Sequence, residues 1–116
     1  MIVLVDTREK KPLFGDFEEV EVISQKLDAG DYSLEIPYLV NIERKQHMRE
    51  LLNNLGKNWK RFEKELGELK KYKYKCILVG GSDNCEFLFE RGYSRLSPSF
   101  VYSRLIEIYM KYGVPT

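Results

Sequence analysis

The chain has 116 residues, 43% of them hydrophobic, which suits one domain with one core. Charged residues make up 32%, too few and too evenly mixed with apolar ones for a disordered chain. The formal net charge of +1 is silent about a polyanionic partner until it is divided along the chain.

Residues 2–5, IVLV, read as a short buried strand closed by the polar run from Asp6 to Pro12. The opening is too short for a signal peptide, and no run approaches the length of a membrane span, so an intracellular protein is expected, cytoplasmic in a prokaryote or virus and nuclear in a eukaryote. Residues 18–23, EEVEVI, alternate polar and apolar and predict a half-buried strand. Ala29-Gly30-Asp31 reads as a turn, and residues 31–45 as a hairpin with Pro37 near its tip, because proline is excluded from a central strand.

Helices are expected over 47–55 and 58–71, separated by Gly56. In the second, Trp59, Phe62, Leu66 and Leu69 recur at helical spacing and form one apolar stripe. Residues 75–79, KCILV, read as an apolar strand. Ser97 as N-cap and Pro98 at the first helical position start a last helix that runs to about Tyr112. Strands, two helices, a strand and a helix in this order predict an α/β domain with a mixed central sheet flanked by helices.

Cys76 and Cys85 fit neither a zinc pattern nor a disulfide framework, and read as free thiols of a reducing compartment. Gly80-Gly81-Ser82 lacks the lysine and spacing of a phosphate loop. His47, the single histidine, reads as a helix-start residue. Most of the eight tyrosines fall at apolar-periodic positions, so packing is expected of them rather than base stacking.

Charge is unevenly distributed. Residues 1–40 hold nine acids against four Lys and Arg, a net of −5, and residues 41–75 hold eleven Lys and Arg against five acids, a net of +6. An acidic third beside a basic third suits a cation site next to a phosphate-binding surface. Lys60, Arg61 and Lys64 on the second helix are the candidate DNA-binding residues.

Chemistry concentrates on the hairpin. Glu43 and Lys45 are two apart on one strand and share a face. If the hairpin is symmetric about Pro37, Asp31 lies opposite Glu43, with β-carbons about 5 Å apart. Two carboxylates so placed repel unless one is protonated or a hard divalent cation lies between them. Lys45 beside that cation could orient or deprotonate an attacking water, or stabilise charge on a phosphate. Aspartate on one strand and Glu-x-Lys on the next is the working pattern of the PD-(D/E)xK nucleases, although alone it is a weak signal.

Three ordered motifs make it specific. Val5-Asp6-Thr7-Arg8-Glu9, Gly30-Asp31-Tyr32 and Ile42-Glu43-Arg44-Lys45 resemble the strand end, turn and strand of the XPF-type structure-specific endonucleases, and the resemblance covers nearly the whole chain. It implies a restriction-endonuclease-like fold and a nuclease domain over residues 1–116. It implies hydrolysis of DNA at branched, forked or flap junctions with Mg²⁺, for which Mn²⁺ can substitute. By the same resemblance Asp31, Glu43 and Asp6 are metal-binding carboxylates and Lys45 is the catalytic lysine. Arg8 and Glu9 are supporting residues, and the Arg44 carbonyl is a further ligand.

Some positions depart from the family. Arg49 stands where an aspartate usually follows the motif, and Gly80 where a glutamate usually follows the strand. The resemblance implies that the domain is truncated past Val114-Pro115 and lacks a helix-hairpin-helix domain. A non-catalytic DNA-binding or dimerisation subunit is the first alternative, disfavoured because Glu43 and Lys45 are both present. A PD-(D/E)xK nuclease acting on another DNA is the second. Phe100, Val101, Tyr102, Leu105, Ile106, Ile108, Tyr109 and Met110 cover more than one side of the last helix, which predicts a homodimer through residues 98–112. The competing cover for that helix is residues 82–95.

Overall fold

The computed structural model describes residues 1–80 and 96–116. Among the described residues, five strands form one sheet: β1 (Ile2–Val5), β2 (Glu21–Ser24), β3 (Tyr32–Leu34), β4 (Val40–Lys45) and β5 (Tyr74–Val79). Among the same residues three helices accompany them: α1 (Met48–Leu55), α2 (Trp59–Leu69) and α3 (Pro98–Tyr112). The strand order is β2-β1-β3-β4-β5. The outer pairs, β1 with β2 and β4 with β5, are parallel, and the inner pairs are antiparallel. A parallel pair needs a crossover, which α1 and α2 supply between β4 and β5. This is the mixed α/β sheet with helices that the sequence predicts.

The pleat sorts side chains onto two faces. The helices and β5 share one core, in which Leu51, Leu55, Phe62, Leu66, Ile77 and Ile108 are buried. On the other face Val3, Val5 and Tyr32 are buried under Leu13, Phe14 and Val20. Among the described residues no helix contributes to that second cluster, and the irregular segment between β1 and β2 covers it. Among the described residues, no helix is long and apolar enough to cross a membrane.

The elements follow the sequence closely, with one shift. The strand expected over 18–23 forms only at Glu21–Ser24. Its ladder begins with Ile2 opposite Glu21, so residues 18–20 have no partner strand, and the Val20 amide closes a turn onto the Phe17 carbonyl instead. α3 starts as expected, with the Ser97 hydroxyl accepting from the Phe100 amide and Pro98 in the first turn. Gly113 ends it in the left-handed conformation, φ 68°. Cys85 and the expected cover at 82–95 lie outside the described residues.

The hairpin has the expected register. Tyr32 pairs with Ile42 and Ser33 with Asn41, which places Asp31 one step beyond the end of the ladder, in line with Glu43. The turn before it is fixed by Gly30 and Asn41. Gly30 is left-handed, φ 65°, and Asn41, fully buried, donates from Nδ2 to the Ala29 carbonyl at 2.7 Å. A β-carbon on Gly30 would overlap Asn41 Oδ1. Gly30→Ala therefore meets both the left-handed penalty and a clash with a side chain that has nowhere to move. We expect it to lower unfolding stability by about 2 kcal/mol or more in urea titration. A loss under about 0.5 kcal/mol would show that the turn relaxes freely.

Candidate metal centre and DNA interface

Asp31 is held from three sides. Its amide donates to the Ile42 carbonyl at 2.8 Å, and its carbonyl accepts from the Asp6 amide at 2.9 Å. Its carboxylate Oδ2 accepts from the Arg44 amide at 2.6 Å. Burial pushes the Asp31 carboxyl up from 3.8 to about 6, and the nearby Glu43 charge adds to that, against the pull of the Arg44 N–H. Glu43 is also raised by burial, although Lys45 opposes the shift.

Lys45 is buried, 4% exposed, which is unusual for a lysine and requires a partner. Its ammonium lies 2.9 Å from Glu43 Oε1 and 4.9 Å from the centre of the Phe62 ring. The two-residue spacing on β4 thus brings Glu43 and Lys45 together on the helix side, as expected. Lys45 neutralises Glu43, whereas Asp31 has only a neutral N–H donor on its carboxylate.

Arg44 points to the opposite face. Its guanidinium reaches Glu9 at 3.4 Å, the Tyr32 hydroxyl at 3.2 Å and the Lys11 carbonyl. Glu9 therefore braces the end of β1 against β4 through Arg44. Arg8 pairs with Asp6 at 2.7 Å yet leaves its side chain 75% exposed.

Asp6 departs from its expected place as a third metal carboxylate. It is 1% exposed. Oδ1 accepts from the Leu27 amide at 2.9 Å, and Oδ2 from the Arg8 amide at 3.2 Å and the Arg8 Nε at 2.7 Å. Burial raises its carboxyl, but these donors together hold it below the usual carboxylate range. Its oxygens are occupied in tying β1 to the segments on either side of the site. Among the described residues, no three Asp, Glu, His or Cys side chains are grouped to hold one ion.

A cleft of about 390 Å³ opens over Asp31 and Glu43, walled by Arg8 on one side and by Lys64, Glu65 and Glu68 of α2 on the other. Of the three candidate DNA-binding residues on α2, only Lys64 lines it. Arg61 is exposed and pairs loosely with Glu65 at 3.7 Å, and Lys60 is exposed on the same helix. Sequence reasoning passed over Glu65 and Glu68. Their signal was the helical spacing of positions 61, 64, 65 and 68, opposite the apolar stripe. It also passed over Asn41, a polar residue between Val40 and Ile42 on a buried strand.

Two other motifs resolve locally. His47 caps α1 by accepting the Glu50 amide at 3.2 Å, and Glu50 reaches back to the Gln46 amide at 2.9 Å. Gly80 donates its amide to the Lys45 carbonyl at 2.8 Å, which extends the β4–β5 register past the site.

A family description, the ERCC4 domain, matches residues 5–116. The chain belongs to the ERCC4 domain family. No curated protein matches it. It is similar to the structure of XPF from Aeropyrum pernix, with a TM-score of 0.72 and 22% identity over 99% of this chain and 51% of that one. It is equally similar, TM-score 0.72, to XPF from Aeropyrum pernix in complex with DNA, with 24% identity over 98% of this chain and 54% of that one. The chain spans about half the length of those solved structures. At these identities the likeness is one of fold, and it agrees with the five-stranded mixed sheet. The ERCC4 match begins at Val5, one residue before Asp6, so all three motifs fall within it.

The raised Asp31 carboxyl carries a pH signature. Between pH 3.8 and about 6 the folded ERCC4 domain holds more protons than the unfolded chain, so Asp31 withdraws stability as pH rises through that window. In metal-free buffer well above pH 6, Asp31→Asn should melt at a higher temperature than the wild type, and below pH 3.8 the advantage should vanish. Equal melting of the two proteins at all pH values would mean that Asp31 carries no such strain.

Proposed function

We propose that this domain is a metal-dependent DNA endonuclease that hydrolyses phosphodiester bonds at branched, forked or flap junctions. The observation that carries this reading is the pair Asp31 and Glu43, open to one cleft, with the buried Lys45 ammonium on Glu43 and an exposed lysine of α2 at the rim. Membership of the ERCC4 domain family and the likeness to an XPF bound to DNA support it.

The donor set fits a hard divalent cation such as Mg²⁺ or Mn²⁺. Such ions are held by one or two carboxylates, with water and substrate phosphate completing the shell. Asp31 and Glu43 would be those carboxylates, and their repulsion would be relieved by the ion. When bound, the metal supplies a Lewis acid that lowers the pKa of a water and offsets charge on the phosphate. Asp6 serves by position: it fixes Arg8 and the end of β1, and its amide holds the Asp31 carbonyl.

Lys45 Nζ, held by Glu43, orients the attacking water or donates to an oxygen of the phosphate as charge develops there. Arg8 binds a non-bridging phosphate oxygen across the cleft from Lys64. Lys60, Arg61 and Lys64 take backbone phosphates along α2. Asp31→Asn and Glu43→Gln should each cut Mg²⁺-dependent cleavage of flap or fork DNA at least about a hundredfold without unfolding the domain. Cleavage by the wild type that persists in excess EDTA would overturn the metal mechanism.

We further infer a homodimer through α3. The side that joins the core buries Val101, Ile108 and Tyr112, whereas Ile106, Tyr109 and Met110 are 63%, 58% and 78% exposed. A contiguous apolar strip of this kind favours a partner surface. In sedimentation equilibrium at tens of micromolar the chain should approach twice 13.7 kDa, and Ile106→Glu should return it to the monomer. A wild-type mass of 13.7 kDa throughout would refute the dimer.

A further inference from the structure

Spacing assigned most tyrosines to packing, but Tyr38, Tyr74, Tyr102 and Tyr109 are exposed. Tyr102 and Tyr109 belong to the apolar side of α3. Tyr38 and Tyr74 stand elsewhere, 59% and 56% exposed, where the tip of the β3–β4 hairpin meets the turn into β5. That turn carries Lys70, Lys71 and Lys73, all exposed.

Tip and turn are joined rigidly. The Lys73 amide donates to the Tyr38 carbonyl at 2.9 Å and the Tyr74 amide to the Leu39 carbonyl at 2.8 Å. The Tyr72 ring lies 5.6 Å from the Tyr38 ring, tilted by 57°, and the Lys73 ammonium stands 5.2 Å from the centre of the Tyr74 ring. Tyr38 also adopts a left-handed backbone, φ 57°, which a residue with a β-carbon rarely does.

We propose that Tyr38 and Tyr72, with Lys70, Lys71 and Lys73, form a stacking platform for an unpaired DNA strand that continues into the cleft over Asp31 and Glu43; Tyr74, opposite Val40 in the ladder, lies on the other face of the sheet. Exposed aromatic faces stack on bases whatever their sequence, and the interleaved ammonium groups take the phosphates. A duplex keeps its base faces stacked on one another, so the platform discriminates in favour of an unpaired strand.

The route to the cleft is short. Lys71 pairs with Glu68 at 2.8 Å, and Glu68 is part of the cleft wall. From Tyr38 to Glu43 along β4 is at most about 17 Å at strand rise, half of one turn of duplex DNA at about 34 Å. One strand can therefore touch both places. The inference rests on the reading that the substrate is DNA, and it adds where the unpaired arm of a junction lies.

The test uses the whole chain in EDTA, with a fluorescein-labelled oligo(dT) and a labelled blunt duplex of the same length, followed by anisotropy. Tyr38→Ala should weaken oligo(dT) binding by about fivefold or more, leave duplex affinity unchanged, and melt like the wild type, since its ring is exposed, whereas Tyr74→Ala should bind both DNAs as the wild type does. Tyr38→Phe should retain the affinity. Lys70→Gln with Lys73→Gln should flatten the salt dependence of oligo(dT) binding by about 0.7 in log–log slope for each ammonium removed. Unchanged oligo(dT) affinity in Tyr38→Ala, or an equal loss on both DNAs, would overturn the platform. If the wild type binds both DNAs while these variants behave as wild type, the platform alone fails. If the wild type binds neither DNA, the nuclease reading fails with it.

Discussion

Two acidic side chains, Asp31 and Glu43, are drawn partly out of water on the same face of one hairpin, and among the described residues only Glu43 has a cation against it. Burying a carboxylate without a full charge partner is costly, and folding alone gives no reason to do it. Much of the surrounding structure makes the arrangement tolerable. Lys45 is buried to meet Glu43, and the Arg44 amide is turned from the ladder to the Asp31 carboxylate. Asp6 is saturated with donors, so that the end of β1 holds Asp31 by its carbonyl. A site so braced has its geometry set before any ligand arrives, which is the condition for electrostatic catalysis.

The mixed sheet divides labour between its faces. On one face the alternation along β4 carries Glu43 and Lys45 toward α2, whose polar side supplies Lys64, Glu65 and Glu68 to the cleft. On the other face Arg44, one residue away from each, ties Glu9, Tyr32 and the segment after β1 together. A single strand thus turns Glu43 and Lys45 to one side and the bracing Arg44 to the other. A slip of one residue in register would exchange them. Asn41 and Gly30 guard that register, since the turn fits only one side chain and one backbone conformation.

Much of this was legible in the sequence because it depends on local periodicity. The pairing of Asp31 with the Glu43 level followed from symmetry about Pro37, and the meeting of Glu43 with Lys45 followed from the two-residue pleat. The start of α3 followed from Ser97 and Pro98. The start of β2 was not legible, because the alternation in EEVEVI is the same whether or not a neighbouring strand is present to pair with it.

The sequence by itself determined the elements, the hairpin register and the motifs that fall within the ERCC4 domain match. These are set by near-neighbour chemistry: turn residues, caps and side-chain period. Tertiary structure alone decided that the Asp6 carboxylate is occupied by N–H donors, that Arg44 braces rather than faces the cleft, and that Tyr38 and Tyr74 are exposed beside a lysine-rich turn. Each depends on a partner far along the chain, Leu27 for Asp6, Glu9 for Arg44 and Leu39 for the turn at Tyr74. Whether a polar group is spent on its own fold or left for a ligand depends on which distant donors reach it, and no local pattern of residues records that.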